Sequence, residues 1–569
     1  MHEGAQRRRH PLRAAWRCIG FGSPLDDHQV PLWSPAVVPA LLLGAAGPLT
    51  VAWVTGALAI PHNDTWSLSR IAATFTRTGH IHLLNWNDMG LIGQLVLLYP
   101  FGSNTTTQGI GVALCAAVTL YLTFRLVGSS VDPRAAGAAA ATLALWPGWA
   151  SLATTYMTDV PTFMLELGAL TLARSALLRD SLIRLAGSVA LGVWAVTIRP
   201  QAAVVLVSVL AYALARPTPR IRRPWTLLCV VAAIVSCWAF EAWRGSLPHG
   251  QNPVPVFKYD LAVQYLRQVP ASSWMTLGLA LLPVVVIAAR PWWWTTRGWM
   301  GAALSAVLVY AAFHQPAPQP FQPFVGNYLN RLGEYGHWGA VPRGGYVIPT
   351  AVWDTMMLLA SVSCLLAGGA IAMGWRRVDP LLRLFTLGSS AAIVVVACLG
   401  NGAYDRYLIA LMPGLTAAIL ASRVHPGRPP RLQGIAANAV QTVAWTITAL
   451  VGAGLFLNSV AFDTARWNAA QTFVATGIPA TKVDASLEWD GWYSKNGVVD
   501  PHDPHRPYGL FTGGRNNQPC ITFPGGANST PPPPGLRPDG FFQFRTFLVV
   551  GSSTLIAYAT EASGCPTQP

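Results

Sequence analysis

The chain has 569 residues, of which 52% are hydrophobic and only 11% charged, with 23 tryptophans. Soluble globular domains carry about 25% charged residues, so this composition excludes an ordinary soluble fold and points to a membrane protein. The net charge of +15 comes almost wholly from arginine, and a nucleic-acid partner would suit so basic a chain. The arginines instead fall in short runs between apolar spans, the pattern of cytoplasmic loops, so no nucleic-acid partner is expected.

The N-terminus, MHEGAQRRRHPLRAAWR, is basic and precedes the apolar run 36–60. No small-residue cleavage site closes that run cleanly, so it reads as a retained signal anchor, with residues 1–33 a cytoplasmic arm. Further apolar spans follow at 109–128, 135–153, 160–178, 184–198, 201–215, 225–243, 272–289, 299–313, 347–373, 381–399, 407–422 and 435–458. The expectation is an all-α polytopic membrane protein, a bundle of about 13 transmembrane helices over residues 34–458. Threaded alternately from a cytoplasmic N-terminus, the inner loops and arm hold 22 of the 38 basic residues, and the outer loops before the tail hold nine. Losing one span would invert every later loop and destroy that asymmetry.

The outer side then receives 61–108, the turn 154–159, the loop 244–271, the long loop 314–346 and a polar, Gly/Pro-rich tail, 459–569. In the first of these, Leu68, Ile71, Ala72 and Phe75 follow helical spacing and Gly79 is a stop signal, so a short amphipathic helix is expected on the membrane surface. The tail is expected to be a small exported domain. It contains Cys520 and Cys565, a pair suited to a disulfide in an oxidising compartment. GFFQFRTFLVV and TLIAYAT flank GSS and read as a β-hairpin rather than a fourteenth span.

Three signals carry chemistry. Asp64 stands at the start of the surface helix, where it either favours the helix dipole or acts as a catalytic group. Asp159 precedes Pro161 at the outer mouth of a span, which suits capping. Glu166 lies two turns on along the same face, where an unpaired carboxylate within a span is costly unless it faces a cavity or a cation. The outer face also carries Arg199, Lys258, Arg331 and Arg406, with Tyr328 and Tyr407 beside the last two. Such cations opposite acidic residues suit an anionic head group. His62, His80 and His82 read as plain polar surface. There is no Walker loop, CxxC or HExxH, so no metal site is expected.

Taken together, HNDTWSLSRIAATFTRTGHI after the first span, Thr158–Asp159–Val160–Pro161 entering the fourth, and Arg406–Tyr407–Leu408 with Pro413 resemble the GT-C superfamily of lipid-linked-sugar transferases. The branch most resembled contains the protein O-mannosyltransferases and the lipid A aminoarabinose transferases, and the resemblance covers roughly residues 36–422. Many relatives have an acidic pair at the first motif, whereas here Asn63 precedes Asp64 and Thr65 follows it. One carboxylate is left for the role. No cofactor is firmly implied, and a divalent metal is an open but unsupported alternative.

The resemblance implies an integral protein of a bacterial plasma membrane that moves a sugar from a polyprenyl-phosphate donor to a hydroxyl on a glycolipid, protein or wall polymer. A phosphate leaving group needs no general acid, so one base and a set of cations suffice. Asp64 is then the expected base, Asp159 orients the acceptor or the base's surroundings, and Arg199, Lys258, Arg331 and Arg406 are phosphate-binding candidates. Direct displacement would invert the anomeric centre. The rival readings are a transporter or lipid flippase, and a non-catalytic GT-C-like glycan-binding protein.

Overall fold

Inside a membrane every backbone polar group must be satisfied within its own segment, so apolar runs separated by arginine-bearing turns dictate a series of helices. The computed structural model describes residues 25, 32–84, 91–247, 259–315, 321–334, 346–401, 403–423, 435–494, 519–523, 536–547, 551–560 and 565. The expected arm 1–33 lies almost wholly outside them.

The spans read from the sequence fall on helices, except that 135–153 is broken into two and 407–422 opens in a 3₁₀ turn. The chain runs through α1 (Pro35–Val54), the surface helix α2 (Thr65–Thr78), the short α3 (Ile92–Leu97), then α4 (Thr105–Val127), α5 (Pro133–Ala144), α6 (Trp149–Leu152) and α7 (Asp159–Leu178). It continues through α8 (Leu182–Ile198), α9 (Ala203–Ala215), α10 (Arg223–Gly245), α11 (Tyr259–Ala288), α12 (Thr296–Phe313), α13 (Thr350–Gly374), α14 (Pro380–Val396), α15 (Met412–Ala421) and α16 (Ile435–Ala475). Among the described residues seven helices are long and apolar enough to cross a membrane: α1, α4, α10, α11, α13, α14 and α16. The protein is an integral, all-α polytopic membrane protein with a small mixed C-terminal unit.

Small residues let the helices approach closely. In α5, PRAAGAAAATLA, a Cβ at Gly137 would collide with the Ala36 carbonyl of the segment opening α1. Packing of small residues of this kind, rather than a hydrophobic driving force, holds helices together in lipid.

Polar contacts between loops divide the bundle into two ends. At one end Arg174 Nε donates to Asp379 Oδ2 at 2.9 Å, the Asp379 N–H to Ser130 Oγ at 2.9 Å, and Arg377 to the Ala421 carbonyl at 2.8 Å. At the other end Arg199 meets Asp159, Ser151 meets Glu334, and the backbone of Tyr328 meets Asp405. Successive loops alternate between the two groups, as serial crossing of a bilayer requires.

The tail differs from the expected boundary in one respect. The last long helix does not end at 458; α16 runs on to Ala475. Phe462, Ala469, Ala470 and Phe473 of its final turns are buried against Val483, Trp489, Ile521, Phe544 and Leu555. These apolar positions form a second core, separate from that of the bundle. After α16 come β1 (Val483–Asp484), α17 (Leu487–Tyr493), β2 (Ile521–Thr522), β3 (Leu536–Thr546) and β4 (Gly551–Thr560). The sheet order is β1-β2-β4-β3. β3 and β4 pair antiparallel, with Phe542 opposite Leu555, so the predicted hairpin forms. Cys520 and Cys565 are joined in a disulfide across 45 residues.

A crosslink across that span constrains the unfolded tail, a contribution of about 2–4 kcal/mol. Cys520→Ser is therefore expected to lower the tail's resistance to limited proteolysis while leaving the bundle helices protected, as read by hydrogen exchange. Unchanged protection of β3 and β4 would contradict this.

Candidate active site

The site is assembled where helices stop. α7 opens at Asp159 with Pro161 in its first turn, a position where the missing N–H costs nothing. α8 closes at Ile198 ahead of Pro200, and Arg199 takes an extended conformation. Arg406 lies in a 3₁₀ turn, Asp405–Leu411, leading into α15. These three breaks bring Arg199 Nη1 onto Asp159 Oδ1 in an ion pair, with Arg406 Nε 3.9 Å from the same oxygen. Asp159 is therefore more than a helix-end carboxylate, because it sits between two guanidinium groups.

Both guanidinium groups also lie against the Tyr407 ring. The Arg199 guanidinium carbon is 5.0 Å from its centroid and that of Arg406 is 5.6 Å away. Tyr404 adds a second face, 5.2 Å from Arg406. Arg406 is buried, yet among the described residues its Nε and Nη1 have no hydrogen-bond partner, and neither has Asp159 Oδ2. A buried donor left unsatisfied costs about 1–3 kcal/mol, more when charged, so these atoms are poised for a ligand.

Asp159, Arg199, Glu166 and Arg406 line a cleft together with apolar residues that include Ile393, Val396 and Ala410. The cleft therefore combines charged groups with apolar walls. Glu166 is buried and lines the same cleft as Arg199.

Asp64 immediately precedes α2, and its carbonyl accepts from the Ser67 N–H and hydroxyl. Its carboxylate makes no capping hydrogen bond, so capping does not explain it. The charge of Asp64 acts on both Arg406 and Tyr404, which puts it on the same cluster as Asp159.

Other residues singled out in the sequence are placed differently. Tyr328 is fully buried and interacts electrostatically with Arg406. Its ring occupies the space a Cβ at Gly148 would fill, and Gly148 has φ +85°. Arg331 points to another set of partners, the Thr350 hydroxyl at 2.8 Å and the Tyr346 ring at 3.7 Å. Lys258 lies outside the described residues. Among the described residues no cluster of His, Cys, Asp and Glu is suited to hold a metal.

Sequence reasoning missed two groups. Asp405 is fully buried and its Oδ2 accepts the N–H groups of Tyr328 and Leu329 at 2.9 and 2.7 Å, which ties the 321–334 loop to the arginine turn. His62, read as polar surface, is in fact buried. Its Nδ1 lies 2.7 Å from Asp463 Oδ2, a residue of α16 far along the chain. The acid that buries it is 401 residues away, so no local pattern around HND could have revealed the pair. Arg466 Nη2 bridges Asp463 Oδ1 and Glu488 Oε2, each at 3.0 Å.

Residues 94–243 match the family model described as dolichyl-phosphate-mannose-protein mannosyltransferase. The GT-C resemblance holds. The matched GT-C segment is 150 of the 569 residues and includes Asp159, Glu166 and Arg199, with Asp64 and Arg406 outside it. Among solved structures, ArnT from Cupriavidus metallidurans bound to undecaprenyl phosphate is similar at 13% identity over 93% of this chain and 99% of that one, with a TM-score of 0.35. A superposition that loose assigns no residue. No curated protein matches the chain significantly.

Burial disfavours a charged imidazole at His62, but the Asp463 hydrogen bond and the charges of Asp463 and Glu488 outweigh it and raise its pKa above 6.5. A histidine whose folded pKa is raised contributes stability that is complete below its unfolded value and is lost as pH rises through the folded value. Protection of residues 62–78 from hydrogen exchange, corrected for intrinsic rates, is thus expected to be complete below pH 6.5 and to fall as pH rises through the raised folded value. His62→Gln should flatten that dependence. A dependence unaltered in His62→Gln would contradict the assignment.

Proposed function

We propose that the protein is a membrane glycosyltransferase that moves a sugar from a polyprenyl-phosphate donor to an acceptor hydroxyl on the outer face of the membrane, with inversion. The observation that carries this reading is Arg406, a buried guanidinium with two nitrogens unpartnered among the described residues, lining an apolar-walled cleft within electrostatic reach of Asp64. The cleft suits an amphipathic ligand, with the phosphate at Arg406 and Arg199 and the prenyl chain along Ile393, Val396 and Ala410.

In the reaction, Asp64 takes the proton of the acceptor hydroxyl as its oxygen attacks the anomeric carbon. The bond from that carbon to the phosphate oxygen breaks and its electron pair leaves with the polyprenyl phosphate. The two arginines stabilise the charge that develops there, which is why no acid is needed at the leaving group. Asp159 keeps the arginines in place, and its Oδ2 is available to orient the acceptor. Attack from the face opposite the leaving phosphate inverts the centre. The sugar is a hexose or pentose, and the acceptor a glycolipid, a protein or a wall polymer.

A transporter or flippase would place its charged groups near the bilayer midplane on broken helices in paired halves. Here Asp159, Arg199 and Arg406 stand at or just beyond helix ends, which favours the enzyme. The two groups of loop contacts fit a cytoplasmic N-terminus and an exported tail.

Replacing the base while keeping its shape separates chemistry from binding. Asp64→Asn is expected to reduce transfer from a radiolabelled polyprenyl-phosphate sugar by about 10²–10⁴-fold, with binding of the lipid phosphate retained. Transfer at the wild-type rate by Asp64→Asn would refute the role.

A further inference from the structure

The turn that carries Asp64 is gripped by the C-terminal domain. The Asn63 N–H donates to Glu488 Oε1 at 3.1 Å, and Glu488 Oε2 accepts from Arg466 Nη2 at 3.0 Å and from the Ser486 hydroxyl. Arg466 in turn donates to Asp463 Oδ1 at 3.0 Å, and Asp463 Oδ2 is bonded to His62 Nδ1 at 2.7 Å. The result is a closed ring, His62–Asp463–Arg466–Glu488–Asn63, whose ends are the two residues directly before Asp64. Its four ionisable members are all buried, with Glu488 only 1% exposed.

The conformation of the turn needs that grip. Asn63 has φ +50°, in the left-handed region where a residue other than glycine persists only when its surroundings hold it. Asparagine tolerates this region, and what the structure uses of it is the backbone N–H. Beyond Asp64 the same domain is docked again. Gly491 of α17 lies against the buried Trp66 ring where a Cβ would not fit, and Arg70 donates to the Gly491 carbonyl.

Both flanks of Asp64 are therefore fixed by a unit with its own core and sheet. We propose that Glu488 is a positioning residue for Asp64, so that docking of the C-terminal domain sets the orientation of the base. The inference rests on the reading of Asp64 given above. A purely structural brace would stabilise the fold and act independently of the carboxylate. A positioning residue acts through it.

The experiment uses the full-length protein in lipid nanodiscs. Glu488→Ala is expected to lower the turnover of sugar transfer about 10–100-fold, with the donor KM changed by less than about twofold. In an Asp64→Asn background the same substitution should add less than about a twofold further loss. Gly491→Ala, which leaves the ring residues intact and displaces α17 from Trp66, should show the same non-additivity. Equal losses in both backgrounds, or a loss confined to KM, would overturn the proposal. Hydrogen exchange over residues 62–72 gives an independent reading. It should quicken at least about tenfold in Glu488→Ala while β3 and β4 stay protected, and unchanged exchange would overturn the proposal. If the wild-type protein transfers no sugar, the functional reading fails and the positioning of a base with it, while quickened exchange in Glu488→Ala would still show that Glu488 orders the turn carrying Asp64.

Discussion

The carboxylate of Asp159 sits between Arg199 and Arg406, and the rest of the site is arranged around that fact. Two guanidinium groups brought together at the end of a membrane bundle would repel each other, and each would be costly to remove from water. A single carboxylate, with the face of the Tyr407 ring beside both cations, makes their proximity tolerable. It does so without satisfying them, since two nitrogens of Arg406 have no hydrogen-bond partner among the described residues. The residual positive field lies next to Asp64 and opens on apolar walls, which is the combination a phosphate on a lipid chain requires.

Much of this was legible in the sequence. The apolar runs located the helices because backbone satisfaction in lipid allows little else, and the arginine asymmetry fixed the alternation of loops that the two sets of loop contacts display. Asp159, Glu166, Arg199 and Arg406 stood out because a charge beside or within a span demands a reason. Asp64 was ambiguous on sequence, since the same position serves a helix dipole and a base. The absence of a capping bond from its carboxylate reduces that ambiguity.

What the sequence hid has a common cause. Asp463, Arg466 and Glu488 lie in a region that reads as the end of an apolar span followed by a polar tail, and their partners His62 and Asn63 are more than 400 residues earlier. Local periodicity carries no information about such pairs. Even the domain boundary was misleading, because α16 continues from the bundle into the tail without a break. Asp405 was hidden differently. Its neighbour Arg406 drew the functional reading, whereas Asp405 itself binds two backbone N–H groups of the 321–334 loop. Lysine and arginine positions were harder to rank, as Arg331 shows. A loop cation can be engaged by a hydroxyl and aromatic rings instead of a ligand site.

The account stands on the cleft at Arg406 being a site for a phosphate carried on a prenyl chain. Equilibrium binding of a polyprenyl phosphate and of the matching polyprenol to the purified protein in nanodiscs tests this directly. The phosphate should bind at least about tenfold more tightly, a difference of about 1.4 kcal/mol, and Arg406→Gln should abolish the preference. Equal affinity for the two lipids in the wild-type protein would contradict the account.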